Sequence, residues 1–284
     1  MDFGNDRIFV RKFLKQALSE DLGRGDLFAL VSEDRESCAH IMAKQAGIFS
    51  GELYVRELCA LAGVSLELRC KDSQHFEKGA ILGILRGSYL KILQIERVLL
   101  NTLSHSSGIA TKTQEFVRAL ESADSNLNSI TLLDTRKTRP LLRALEKYSV
   151  RNGGAQNHRF GLDSLLMLKD THLAHITDLH AFVAQARKKL PWGSKIEIEV
   201  PNLQKAREAF EAGADIVMCD NMSAEEVREV ANLRDSQFRH ILLEASGNLT
   251  LQNLATYAKS GVNALSIGAL IHQATWIDLS LQMQ

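Results

Sequence analysis

"KIEIEVPNLQKAREAFEAGADIVMCDN", residues 195–221, sets the terms for the rest of the chain. It opens on a strand pattern in which Lys195, Glu197 and Glu199 alternate with Ile196, Ile198 and Val200, so the two sets lie on opposite faces. Asn202 then stands at a helix N-cap position and Gly213 at a C-cap position, with an amphipathic stretch between them. A second apolar run, "ADIVMC", ends on Asp220 and Asn221. Strand, helix and strand in so short a span predict two parallel strands joined by a crossover helix.

Working outward, the same unit recurs. "SITLLD" (129–134), "LLMLKD" (165–170), "HILLEA" (240–245) and "NALSIG" (263–268) are further strand candidates. "SAEEVREVANL" and "TLQNLATYAKSG" are helical, with Ser223 and Thr250 at N-cap positions and Gly261 at a C-cap. Neither a GxGxxG fingerprint nor a GxxxxGKS/T loop occurs, which favours an α/β barrel over the alternative, a doubly wound sheet. Upstream the grammar differs. A helix from Arg7 to Glu20, the strand "CAHIMAK", a helix from Glu52 to Leu61 and the strands "VSLELRC" and "AILGILRG" mix without a repeat, before an amphipathic stretch from Leu90 to Leu103. The expected fold is α/β: an N-terminal α+β domain over 1–106, open to completion by 270–284, and an irregular, incomplete TIM-like α/β barrel over 107–284.

Helices cover the outside of such a barrel, so Ile196, Ile198 and Val200 are expected to face out and the charged trio to face in. Reactive groups gather at C-terminal strand ends. Here those ends read Asp134-Thr135-Arg136-Lys137, Lys169-Asp170, Glu199, Asp220-Asn221, Glu244, and Ser266 with Gly268. Buried carboxylates cost several kcal/mol unless paired, so Lys137 and Lys169 are expected to meet Glu199 and Asp220.

Positive charge is dense from 132 to 162, where Arg136, Lys137, Arg139, Arg143, Lys147, Arg151, His158 and Arg159 all fall. The 284-residue chain nevertheless balances 34 basic against 34 acidic side chains. A local cluster in a neutral protein fits a small anionic ligand and argues against nucleic acid. Arg143, Lys147 and Arg151, at i, i+4 and i+8, read as a solvated helix face. Arg136, Lys137 and Arg139 could equally form a salt-bridged loop. His172 and His175 lack a third ligand and read as helix-surface residues, and Cys219 as a core residue. Glycine-bearing strand ends at "ASGN" (245–248) and "SIGA" (266–269) point to phosphate, because glycine lets backbone N–H groups approach an anion. With 45% hydrophobic and 24% charged residues the chain is globular. Its four cysteines form no CxxC pair and are expected to be reduced. No secretory leader and no membrane span are read, so the expected location is the cytoplasm.

In order, "ALSEDLGRGD", "ERVLLNTLSHSSGIAT", "DTRKTRP", "NGGAQNHRFGL", "MLKDTH", "IEIEV", "IVMCDN", "LEASGN" and "SIGA" resemble the quinolinate phosphoribosyltransferases along almost the whole chain. The resemblance implies an N-terminal α/β domain on an irregular α/β barrel. The implied reaction joins quinolinate to 5-phosphoribosyl-1-pyrophosphate, giving nicotinate mononucleotide, pyrophosphate and carbon dioxide in NAD biosynthesis. It implies that Thr135, Arg136, Lys137, His158 and Arg159 hold the quinolinate carboxylates. Lys137, Lys169, Glu199 and Asp220 would surround the ribose and pyrophosphate as the catalytic group. Ser246, Gly247 and Asn248, with Ile267, Gly268 and Ala269, would cradle the 5-phosphate. Arg97 would reach a neighbouring subunit's site, which implies a homo-oligomer, at least a dimer with shared sites. Mg2+ would arrive mainly on the pyrophosphate, with no metal ligands assigned in the protein. Two departures stand out: Thr171 replaces a frequent asparagine, and His105 a frequent arginine, removing one positive charge from the rim. Rival readings are a paralogue using another acceptor such as nicotinate, a Schiff-base aldolase acting through Lys169, and a phosphate-sensing barrel.

Overall fold

The computed structural model describes residues 6–123 and 129–284. They fall into two compact units, one within 1–114, 138–154 and 273–284, the other within 115–137 and 155–272. The expected boundary after residue 106 lies inside an unbroken 35-residue helix, Tyr89–Ala123, which passes from the first unit into the second.

The first unit begins with α1 (Arg7–Leu22), whose N-cap Asp6 accepts a hydrogen bond from Ile8 N–H. It continues through β1 (Glu36–Ala43), β2 (Gly47–Ile48), α2 (Glu52–Ala62), β3 (Ser65–Leu68), β4 (His75–Phe76), β5 (Ile81–Ser88) and α3, the long helix. Later come α4 (Arg143–Asn152) and the last strand, β12 (Leu279–Met283). β12 returns to pair antiparallel with β1, giving the sheet order β12-β1-β5-β3. Val10, Leu14, Tyr54, Leu58, Leu85, Ile92, Leu99, Leu103 and Leu145 close the core between this sheet and its helices. Gly108 in α3 has no alternative, since a Cβ there would strike the Thr275 carbonyl oxygen.

The second unit alternates strands and helices: β6 (Thr131–Leu133), β7 (Leu166–Leu168), α5 (Asp170–Leu173), α6 (Leu179–Lys189), β8 (Ile196–Val200), α7 (Leu203–Glu211), β9 (Ile216–Asp220), α8 (Ala224–Gln237), β10 (Leu242–Ser246), α9 (Leu254–Ala258), β11 (Ala264–Ser266) and α10 (Ala269–His272). All six strands are parallel, in the order β6-β11-β10-β9-β8-β7. From β7 to β11 each strand lies beside the next in sequence. Right-handed crossovers in one direction place their helices on one side and curl the sheet. A doubly wound sheet would reverse direction, so the barrel reading holds. β6 and β7 are not hydrogen-bonded to each other, which leaves the barrel incomplete.

Ile196, Ile198, Val200, Val217, Cys219, Leu243, Ala245 and Leu265 are buried on the outer face, as the alternation predicts. Full burial of such a side chain contributes about 1.5–3 kcal/mol. Lys195 is the exception to the inward trio: it precedes β8 and is exposed. A strand's first flanking residue escapes the pleat, and an ammonium gains hydration by doing so. Asn202 and Ser223 cap α7 and α8 as expected. Thr250 instead trades hydrogen bonds with Asn253 in a turn ahead of α9. Among the described residues no helix is long and apolar enough to cross a membrane.

Candidate active site

The inner face of the second unit is polar. In parallel pairing, register partners share a face, so Glu199, Met218 and Glu244 form one layer and Asp220, Ser246 and Ser266 the next. The carboxylates survive there because each finds partners. Lys169, the residue after β7, forms an ion pair with Glu199, and Ser266 hydroxyl donates to Glu244. The expected pairing of Lys169 with Glu199 is thus present. Lys137 is exposed and lies against Gly268, where a Cβ would come 3.0 Å from its Cδ.

Two loops bring the basic residues together. Asp134, fully buried after β6, accepts from His158 N–H at 2.9 Å and from Asn157 Nδ2 at 2.7 Å. Gln156 adds an isolated bridge to Leu133. The 156–159 segment is therefore stitched to the end of β6, and Arg136 and Arg159 become neighbours. Burial first, then the Arg136 charge, pushes the Arg159 guanidinium below its ordinary range, against the opposing pull of Glu197 and Glu199. Two like charges near enough to influence each other suit an anion with more than one negative oxygen.

Below them lies a cluster that strand spacing only partly foretold. His158 Nε2 stands 3.3 Å from Glu197 and 3.4 Å from Glu244, with side chains 7%, 0% and 3% exposed. Its Nδ1 accepts the Arg159 backbone N–H at 2.7 Å. Burial opposes charge on the ring, but the hydrogen bonds and charges of both glutamates outweigh it and push its pKa up to about 10. Burial also raises the Glu197 carboxyl, with the Glu244 charge adding to it. Both shifts describe one proton kept by the group. Because Nδ1 is accepting, that proton lies on the Nε2 side of the ring, shared among His158 and its two glutamates. Glu197 and Glu244 were readable as inward or strand-end acids; their shared histidine was not.

The glycine loops behave as a pair. Gly247 has φ 94°, and a Cβ there would strike Asn221 Oδ1. Asn221 Nδ2 donates to Asp220 at 2.8 Å, and Asn248 Nδ2 donates to Asn221 at 3.2 Å. The backbone N–H groups of Gly247, Asn248, Gly268 and Ala269 find no backbone acceptor among the described residues. Ile267 and Ala269 side chains are buried, so only their backbone can face a ligand. A cavity of about 450 Å³ beside β8 and β9 is lined by Asp170, Glu199, Lys205, Glu208 and Asp220 among others. Arg97 alone among the expected residues belongs to the first unit, exposed on α3 and lining a separate cavity with Glu20, Asp21 and Trp276.

Two expectations change, and one open reading is decided. Arg143, Lys147 and Arg151 do not form a solvated face: Lys147 is 2% exposed and the other two are half-buried. Helical spacing shows which residues share a face but not whether that face is wet. His105 is buried, not on a rim, and bonds Glu146 at 2.9 Å. Arg139 also serves Glu146, through its backbone N–H at 2.9 Å and its guanidinium at 3.0 Å. It is an ion-pair residue of the first unit.

The family profile described as the quinolinate phosphoribosyl transferase N-terminal domain matches residues 26–107, and that of the C-terminal domain matches 109–282. The chain belongs to this family. Among its relatives, the "Probable nicotinate-nucleotide pyrophosphorylase (carboxylating)" of Bacillus subtilis is 39% identical over 277 residues, covering 96% of this chain and 93% of that one. The human nicotinate-nucleotide pyrophosphorylase (carboxylating) is 34% identical, covering 94% and 89%. The solved nicotinate-nucleotide pyrophosphorylase of Francisella tularensis superposes with a TM-score of 0.88 at 32% identity, covering 98% and 97%. Quinolinate phosphoribosyl transferase membership thus rests on both halves of the chain and on the fold.

Proposed function

We propose that this chain transfers phosphoribose from 5-phosphoribosyl-1-pyrophosphate to quinolinate with decarboxylation, giving nicotinate mononucleotide, pyrophosphate and carbon dioxide. The observation that carries the site assignment is the pairing of Arg136 with Arg159 above an inner face of acids. Quinolinate brings two carboxylates, and each charge-assisted hydrogen bond to one contributes about 1.5–3 kcal/mol. Arg136 and Arg159 take the carboxylates, with Thr135 alongside. Lys137 and Lys169 stand where phosphoribosyl and pyrophosphate oxygens arrive. Unpartnered N–H groups at 247–248 and 268–269 receive the 5-phosphate.

Departure of pyrophosphate leaves positive charge on C1 of the ribose. Glu199 and Asp220 stabilise that carbon or hold the ribose hydroxyls, while the pyridine nitrogen, oriented by the arginines, attacks from the opposite face. The alkylated ring then accepts the electron pair left when the adjacent carboxylate departs as carbon dioxide, and the ring carbon takes a proton. Mg2+ would enter on the pyrophosphate. Among the carboxylates lining the nearby cavity, Glu199 is paired with Lys169 and Glu208 with Lys205, so the ion's charge would be met chiefly by the pyrophosphate itself. Arg97 serves a second copy of the chain, which makes the enzyme a homo-oligomer with shared sites, and the cytoplasm is its place of work.

The test is pyrophosphate release by purified protein with Mg2+ and phosphoribosyl pyrophosphate, offered quinolinate or nicotinate. Release with quinolinate alone, matched by nicotinate mononucleotide, supports the proposal; release with nicotinate alone replaces the acceptor. Mixing inactive Arg97→Ala and Lys169→Ala subunits should recover activity if sites are shared. No recovery in verified hybrids would make the subunits self-contained.

A further inference from the structure

His158, expected to hold a quinolinate carboxylate, sits in a cluster whose two glutamates the reaction gives no task. Both nitrogens of the His158 ring are engaged inside the protein. Nε2 faces Glu197 and Glu244, and Nδ1 receives the Arg159 N–H. A ring so held has no N–H left for a substrate carboxylate. Asp134 fixes the same peptide from the other side by accepting His158 N–H.

We propose that Glu197 and Glu244 are positioning residues for the acceptor: they anchor His158 through Nε2 so that its Nδ1 fixes the Arg159 backbone, and thereby the guanidinium, where a carboxylate arrives. This rests on the functional reading above. His158 therefore works through Arg159 and does not itself touch the acceptor. Glu197 has a second effect. Arg136 and Arg159 repel each other, and the negative charge beneath Arg159 offsets that repulsion before a dianion arrives. Glu197, with no exposed side-chain surface, does this without offering a carboxylate to solvent. A buried acid acts as a permanent counterion and is not displaced by the ligand.

The experiment is steady-state kinetics on the full chain, varying quinolinate and phosphoribosyl pyrophosphate separately, with ¹⁵N NMR of the His158 ring. Glu197→Ala should raise the acceptor KM at least tenfold and leave the donor KM and kcat within about threefold. Glu197→Gln keeps an oxygen to accept from Nε2–H and should recover most of the loss. The ring of the wild-type protein should read as the Nε2–H tautomer, unchanged when quinolinate is added at a saturating level. Three results overturn the proposal: Glu197→Gln losing kcat with acceptor KM unchanged, a proton on Nδ1 whose shift follows quinolinate, or a stoichiometric divalent metal lost in Glu244→Gln. If Glu197→Ala does not fold, Glu244→Gln and the wild-type ring signal still decide. If wild-type protein turns over no quinolinate, the functional reading fails, while the ring tautomer still shows whether Arg159 is held through Nδ1.

Discussion

Two buried clusters, one in each unit, pair a histidine with glutamate and do opposite things. In the first unit His105 and Arg139 share the single carboxylate of Glu146, which is fully buried. In the second, one histidine, His158, faces two carboxylates. The first cluster supplies a permanent cation to its acid. Burial works against the ionised Glu146, but bonds from His105 and Arg139 prevail and hold its pKa below the ordinary carboxylate range. The second is short of cations, so it keeps a proton that solvent would remove. A fully matched cluster is a structural joint; an unmatched one beside Arg159 is what the proposed acceptor site is built on.

The comparison can be broken from the catalytic side first. Glu199→Gln keeps size but removes the charge paired with Lys169, and turnover should fall on the order of 100-fold with substrate binding less affected. Unchanged turnover would show that the inner acids have no electrostatic task. Next comes the joint. Arg139→Ala leaves Glu146 buried with only His105 beside it, which should cost about 2–4 kcal/mol of stability in a denaturant titration. Quinolinate KM should stay within twofold; a large rise would make Arg139 a ligand residue instead of a joint.

The pH dependence of melting sharpens the contrast further, because the clusters act on opposite limbs. Glu146 has a lowered pKa, so its contribution is present above its unfolded value of 4.5 and is lost as pH falls through the folded one. His158 is raised from 6.5 to about 10, so its contribution is full below 6.5 and is lost as pH climbs toward 10. Arg139→Ala should therefore lower stability at neutral and higher pH and spare it in acid, whereas His158→Gln should lower it below pH 6.5 and spare it near pH 10, each on the order of a few kcal/mol. The smallest effect is local. Leu141 is 94% exposed at φ 66°, a conformation costly for a leucine. Leu141→Asn should stabilise by about 0.5–1 kcal/mol and leave kinetics untouched.

Much of this was legible without coordinates. Alternation in 195–200 placed the isoleucines outside and Glu197 and Glu199 inside, because side chains on a strand alternate whatever surrounds it. Strand–helix repetition set the six parallel strands, and charges at strand ends located the mouth, because parallel strands present all their C-terminal ends on one side. Ion-pair partners could not be read the same way. Arg139 and Glu146 lie seven positions apart, outside the spacings at which neighbours on one helix meet. Nor could Lys147 be known as buried, since a helix enclosed on more than one side carries the same period as one facing water.

By itself the sequence determined the fold class, the inner acids and the inventory of cations, since each follows from local period and residue type. Only the tertiary structure decided how those charges were shared. Asp134 brings His158 and Arg159 to the end of β6, Glu146 takes Arg139, and two acids converge on one imidazole. Charge pairing depends on distances of a few ångströms between residues far apart in the chain, and those distances exist only after the sheet has curled and the helices have packed.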